Sequence, residues 1–323
     1  MEHLPNPNPG PEYGLPPPLT APRRGRRIGP SVRRWIHAAL LPATLLTLAF
    51  AGGIVWEEAA TVTELERGWA VLADPAFHVR MLLAGLPYAL WVLAILGSHE
   101  LGHYFACRYY GIRATLPFFL PGIPPIGSFG AVIRIRSPIP HRRALFDVAA
   151  AGPIAGFVLA LPALLIGFAL AEPAPPGSLD GDGVAFGPPL ALRLLGPLLR
   201  EGPVRINHLI GAGWVGMLVT SLNLFPVGQL DGGHAVYAIS RRLHRWVARF
   251  TIVGVLGLIV YQAVALRQVP AYVLWFVILL WMRDRHPRLL DERDGGLGLG
   301  RLSVALLLLG MLILSFIPVP FLL

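Results

Sequence analysis

Residues 81–104 read MLLAGLPYALWVLAILGSHELGHY. From Met81 to Gly97 the run is uncharged and reads as a membrane helix, closing on Ser98-His99-Glu100-Leu101-Gly102-His103-Tyr104. Residues four apart share one face of a helix, so His99 and His103 aim their imidazoles at a common point. Two imidazoles on one face make half of a tetrahedral zinc site. Glu100, between them, is placed to take a proton from a water at the metal rather than to bind the metal itself. A charge in hydrocarbon costs on the order of 3 kcal/mol even on the lenient insertion scale, so a helix that keeps these groups has a use for them.

The rest of the chain sets this helix in a membrane protein. Of 323 residues, 54% are hydrophobic and 14% charged, with a mean hydropathy of +0.60. That composition predicts a polytopic membrane protein, and the apolar runs and the 114–140 stretch read below make it all-α, with about six to seven transmembrane helices and a re-entrant β-hairpin or loop. All 27 basic residues are arginine and the net charge is +9. The arginines gather at the ends of apolar runs, which is a topology signal rather than a nucleic-acid surface, so no nucleic-acid partner is expected. The single cysteine, Cys107, excludes an internal disulfide and a Cys-rich zinc module. It follows His103 by four residues, and a small buried residue is the preferred reading over a ligand.

Residues 1–34 are a Pro- and Arg-rich arm that cannot bury a core, expected to be disordered and cytoplasmic, without the apolar core of a secretory signal. Residues 35–323 form the transmembrane domain. A first span is expected from Ile36 to Trp56, an external loop from Glu57 to Arg80, and a second span from Arg80 to Tyr110 whose end emerges on the cytoplasmic side. In 114–140, Pro117, Pro121, Pro124 and Pro125 break any helix, and Gly127-Ser128-Phe129-Gly130 reads as a turn. The alternation Ala131-Val132-Ile133-Arg134-Ile135-Arg136 then reads as a strand, part of a re-entrant hairpin beside the site and an edge for an extended peptide. A third span covers Leu145 to Ala171. Its Gly152 and Gly156, four apart, are read as helix packing without chemistry. The segment Glu172 to Arg205 reads as a loop.

The second informative stretch is Asn223-Leu224-Phe225-Pro226-Val227-Gly228-Gln229-Leu230-Asp231-Gly232-Gly233-His234. It follows the apolar run His208 to Leu224, and Pro226 and Gly228 interrupt the helix at membrane depth. Asp231 offers the oxygen that completes three protein ligands, the fourth position being left to water. Capping of the following helix is the plainer use of such an aspartate. Asn223 is an uncharged donor able to hold an oxyanion, or to bridge two helices. His234 is read as a partner behind the ligands. A helix from His234 is expected to end in Arg241, Arg242, Arg245 and Arg249. Apolar runs at Thr251–Leu266, Pro270–Met282 and Leu302–Leu323 follow, with a charged cytoplasmic segment from Arg283 to Arg301. Of the arginines, all but Arg67, Arg80, Arg193, Arg200, Arg205 and Arg267 fall on the side assigned to the cytoplasm.

His99-Glu100-Leu101-Gly102-His103, together with Asn223-Leu224-Phe225-Pro226 and Leu230-Asp231-Gly232, resembles the site-2 protease family of intramembrane zinc metalloproteases, over about Met81 to Trp246. The Gly-Gln-Leu-Asp-Gly-Gly-His form resembles the bacterial and plastid branch without an inserted peptide-binding domain. The resemblance implies a three-helix catalytic core within 81–246, with C-terminal helices over 249–323. It implies His99, His103 and Asp231 as ligands of one Zn2+ per chain, and Glu100 as the catalytic carboxylate, with Asn223 beside it. It also implies the substrate class, a transmembrane segment of another membrane protein. No PDZ-like insert is expected in 172–205, and no regulatory domain is expected after Leu323. A bacterial inner membrane with a cytoplasmic N terminus is the expected location, and oligomeric state is left open. Two further readings of the same residues are a metal transporter, which tends to show repeated halves that this sequence lacks, and an inactive binding homologue.

Overall fold

A computed structural model of the chain describes residues 30–56, 73–174, 185–283 and 296–322. Most of the Pro-rich arm, most of the loop after the first span, the stretch holding Asp180 and Asp182, and most of the charged segment before the last span lie outside these residues.

The described chain is mainly helical. Helix α1 (Pro30–Ala51) runs on into a π-helical turn at Gly52–Trp56, ending where the first span was expected to end. Helix α2 (Pro75–Tyr109) carries the His-Glu motif. It starts earlier than Arg80 because Asp74 caps it, accepting from the Ala76 N–H at 2.9 Å, and Pro75 supplies a preset first-turn φ. It stops at Gly111, whose φ of +67° reverses the chain so that the Ile112 N–H returns to the Cys107 carbonyl at 2.8 Å. A helix of this length spans about 50 Å, well beyond a hydrocarbon core, so the motif in its last third lies toward one membrane face.

Between α2 and the next helix lies the hairpin. Strand β1 (Phe118–Pro121) pairs antiparallel with β2 (Ser128–Val132), with a register shift at Leu120/Pro121. The strand expected at 131–136 therefore begins earlier, and Ser128-Phe129-Gly130 is strand rather than turn. The reversal instead occupies 122–127, closed by the Gly127 N–H to the Ile123 carbonyl at 2.8 Å. Residues 134–136 still pair, by a bridge to 113–115: the Thr115 N–H meets the Arg134 carbonyl at 3.0 Å and the Arg136 N–H meets Arg113 at 2.7 Å. Buried Tyr88 of α2 donates to the Ile126 carbonyl at 2.8 Å, tying the hairpin tip to the membrane helix.

Helix α3 (Arg142–Ala169) realises the third span and packs against α2 and against α5 (His208–Leu224). These three helices carry the main buried cluster, with Val92, Ile95, Leu96, Ala160, Leu164, Trp214 and Met217 among its members. Asn207 caps α5 through the Leu209 and Ile210 N–H groups and donates to the Gly167 carbonyl of α3 at 2.9 Å, which sets the two helices side by side. The segment expected as a loop from Glu172 to Arg205 is partly structured: β3 (Ala185–Phe186) and α4 (Leu190–Leu199) form there, since 190–199 is an amphipathic apolar run despite Pro197.

Past Leu224 the chain departs from expectation again. Helix α6 (Asp231–Ile239) is short and stops at Ser240, whose side chain caps a separate helix α7 (Arg241–Val264) by accepting from the Leu243 N–H. The arginines thus open α7 instead of ending α6, and the span begins at Arg241 rather than Thr251. Helix α8 (Val273–Met282) is short, as its run implies. Helix α9 (Leu299–Ser315) ends well before Leu323, because Pro318 and Pro320 cannot continue it; the chain turns and β4 (Phe321–Leu322) pairs with β3. Gln262 of α7 donates to the Pro318 carbonyl at 2.8 Å and accepts from the Ala271 N–H, and Tyr272 donates to the Ile317 carbonyl at 2.5 Å, anchoring that return. Near the motif end of α2, Asp147 of α3 takes two hydrogen bonds from Arg301 of α9, at 2.7 and 2.8 Å, and one from Tyr110. The pair is about a third exposed, which limits its contribution to about 1 kcal/mol.

Three described helices, α2, α3 and α7, are long and apolar enough to cross a membrane; α1, α4, α5, α8 and α9 supply shorter apolar segments.

Candidate metal centre

The two histidines project from one face of α2 as their spacing requires, with Nε2 atoms 3.1 Å apart. Both are buried. Asp231 is the first residue of α6, brought to them by the break after Leu224. In that break Gly228 takes a left-handed φ of +58°, a conformation that costs a glycine little. The N-cap of α6 is Leu230, with no side-chain cap, so the Asp231 carboxylate is not spent on capping. Its Oδ2 lies 3.2 Å from His99 Nε2 and 3.3 Å from His103 Nε2. The first turn of a helix also favours a carboxylate electrostatically.

The His103 ring is fixed from behind. Its Nδ1 lies 2.7 Å from the Val148 carbonyl of α3. A carbonyl only accepts, so Nδ1 carries a proton, and with the ring neutral the Nε2 lone pair faces the cluster. Two ring nitrogens and a carboxylate oxygen thus converge as acceptors, all within 4.8 Å of one another. Gathering acceptors in a buried place is unfavourable unless a proton or a cation lies among them. The donor set, two imidazoles and one carboxylate, is the kind that leaves a position open on a tetrahedral ion.

The neighbouring groups share one cavity of about 280 Å³, lined by His99, Glu100, His103, Asn223, Asp231 and His234 and by the 131–135 segment. Buried Glu100 lines this cavity together with Ala131, Val132 and Ile133, so the end of the hairpin borders the carboxylate. Asn223 Nδ2 stands 3.3 Å from His99 Nε2. All five residues singled out in the sequence therefore meet. His234 lines the cavity outside the three-residue cluster. Cys107 packs with Ile112, Ala144 and Val148, as a small buried residue.

Two glycines read as plain packing have a more specific task. A Cβ at Gly152 would lie 2.1 Å from His103 Nε2, and one at Gly156 would lie 3.2 Å from the His99 Cβ. Gly102, inside the motif, similarly faces the Ala151 carbonyl, where a Cβ would sit at 2.4 Å. The Gly152-to-Gly156 step is therefore the wall that leaves room for both imidazoles; the sequence carried the small-residue spacing but not what it faced. The Val148 carbonyl left no trace in the sequence, since any residue supplies one. Gly152→Ala is expected to lower divalent-metal affinity about 10–100-fold, the equivalent of the 1–3 kcal/mol of overpacking, while Gly156→Ala costs less. Metal content after dialysis against a graded chelator series reads this directly; equal retention by Gly152→Ala and the unaltered chain would contradict it.

Residues 87–261 match the family model for peptidase family M50. Among curated proteins, the chain is 34% identical over 262 residues to a rice (Oryza sativa subsp. japonica) protein named "Probable zinc metalloprotease EGY2, chloroplastic", covering 76% of this chain and 45% of that protein. It is 34% identical over 255 residues to the Arabidopsis thaliana protein of the same name, covering 76% of this chain and 44% of the other. It is 38% identical over 161 residues to the Arabidopsis "Probable zinc metalloprotease EGY1, chloroplastic", covering 47% and 29%. The chain spans less than half the length of these relatives. With the family match extending over more than half of the chain and enclosing both motifs, the chain belongs to peptidase family M50, the site-2 protease family.

Proposed function

We propose that the chain is an intramembrane zinc metalloprotease, hydrolysing a peptide bond within a transmembrane segment of another membrane protein. One observation carries this reading: His99, His103 and Asp231 converge from two helices distant in sequence, with Glu100 and Asn223 in the same cavity. The names of the relatives add zinc as the metal. Its ligands would be His99, His103 and Asp231, one ion per chain. Zinc held there supplies Lewis acidity, lowering the pKa of water toward about 7 and polarising a carbonyl.

The residues of the chain do the rest. Glu100 accepts a proton from the attacking water and delivers it to the leaving amine. The Asn223 amide donates to the oxyanion of the tetrahedral intermediate. The Val148 carbonyl keeps His103 in the correct tautomer. A substrate helix hides its carbonyls and must be extended locally. Strand β2 is paired on one side with β1, and 131–133 line the cavity, so its other edge offers backbone groups to an extended segment.

Around this core, 81–246, we place six to seven membrane segments within one domain, 35–323, by counting the shorter apolar helices as spanning or re-entrant. From the arginine distribution we infer an N terminus on the cytoplasmic side of the membrane; the bacterial inner membrane expected from the sequence finds no support in the relatives, which are named as chloroplastic.

Reconstitution in liposomes tests the reading. With a transmembrane peptide that carries helix-breaking residues, cleavage is expected to stop on chelation and return with added zinc. Zinc accumulating in the vesicle lumen with the peptide left intact would identify a transporter instead.

A further inference from the structure

We propose that the cleft between the first turns of α7 and the end of α8 binds the phosphate headgroup of an anionic phospholipid. The cleft has a volume of about 310 Å³ and is lined by Arg245, Arg249, Arg283, Ala248, Ile252 and Val253. Arg245 and Arg249 stand one turn apart on α7, and Arg283 is the C-cap of α8. All three arginines are exposed, whereas Ala248 and Ile252 are buried.

Membrane topology accounts for arginines on this face. It does not require three of them, from two helices, to border one concavity with apolar walls. That combination fits an amphipathic ligand bearing a phosphate at one end. Guanidinium groups offer forked donors that match phosphate oxygens two at a time. The depth also fits. Arg249 lies over the Trp246 ring at 5.4 Å, and Trp246 stacks on Phe250 at 6.3 Å, both rings exposed. Exposed aromatics of this kind mark the headgroup layer. From Thr251 to Val264 helix α7 carries no charge, so acyl chains can follow it into the hydrocarbon. Basic pockets between helices at a membrane face select anionic lipids by this combination. The inference concerns binding alone and stands apart from the proteolytic reading.

The test uses the full chain in nonionic detergent, with lipid retention read by native mass spectrometry. Phosphatidylglycerol and phosphatidylcholine with identical acyl chains are the probes. Phosphatidylglycerol is expected to be retained in preference. R245Q, R249Q and R283Q are each expected to weaken its retention about fivefold, whereas the double variant R241Q/R242Q, which removes two charges from the same helix end outside the cleft, should change it less than about twofold. A second measurement needs no variant: phosphatidylglycerol, and not phosphatidylcholine, should shield Arg245, Arg249 and Arg283 from dicarbonyl labelling while Arg242 stays reactive. Equal retention of the two lipids overturns the proposal, as does an R241Q/R242Q loss as large as that of R245Q, R249Q or R283Q. Displacement of the lipid by an equal concentration of inorganic phosphate also overturns it, because the site would then be one for a free anion.

Discussion

Glu100→Gln is expected to keep one zinc per chain and to slow cleavage of a membrane-embedded reporter by about 10²- to 10⁴-fold, the range that a positioned general base supplies. The substitution preserves the size of the side chain and one of its two oxygens. It removes the negative charge and with it the capacity to accept a proton. Glu100 is not in the three-residue cluster, so metal content should be unaffected. The two readouts separate the roles. Parallel loss of zinc and cleavage would make Glu100 a ligand, and cleavage at the unaltered rate would remove it from the chemistry.

Asp231→Asn is expected to empty the site. An amide oxygen is a poorer ligand than a carboxylate, and the substitution removes the only negative charge in the cluster. The loss in zinc affinity should exceed the roughly 10–100-fold that follows removal of an outer hydrogen-bond partner. Zinc per chain after dialysis should fall from one to background, and cleavage should vanish with it. The fold should persist, because the N-cap of α6 is Leu230 and the Asp231 side chain makes no cap bond. Helical content and thermal unfolding of the variant check that point. Full zinc occupancy in a folded Asp231→Asn chain would show that the carboxylate is not a ligand.

Much of this site is legible in the sequence because it rests on local geometry. His99 and His103 share a face by helical periodicity alone, and Glu100 cannot join that face. The break at Pro226 and Gly228 is equally local, and it announces an interruption at depth. The hairpin was harder. Alternation of apolar and basic residues over 131–136 does mark extended backbone, yet extension does not specify a partner. The ladder pairs 128–132 with 118–121, and 134–136 bridges instead to the turn after α2. The end of α9 and the separation of α6 from α7 were missed for a similar reason. Hydropathy continues through Phe316 and Ile317, and nothing in the run from His234 into Arg241 and Arg242 announces a break at Ser240, while the prolines and the serine cap decide where hydrogen bonding stops.

The sequence by itself determined a membrane protein, a His-Glu-x-x-His face on an apolar helix and a broken helix bearing an aspartate, since each follows from spacing within a few residues. Only the tertiary structure decided that the aspartate reaches the histidines, that Gly152 and Gly156 leave their rings room, and that a carbonyl from α3 sets the tautomer of His103. These are relations between helices, and their physical basis is packing across α2, α3 and α5, which no local pattern encodes.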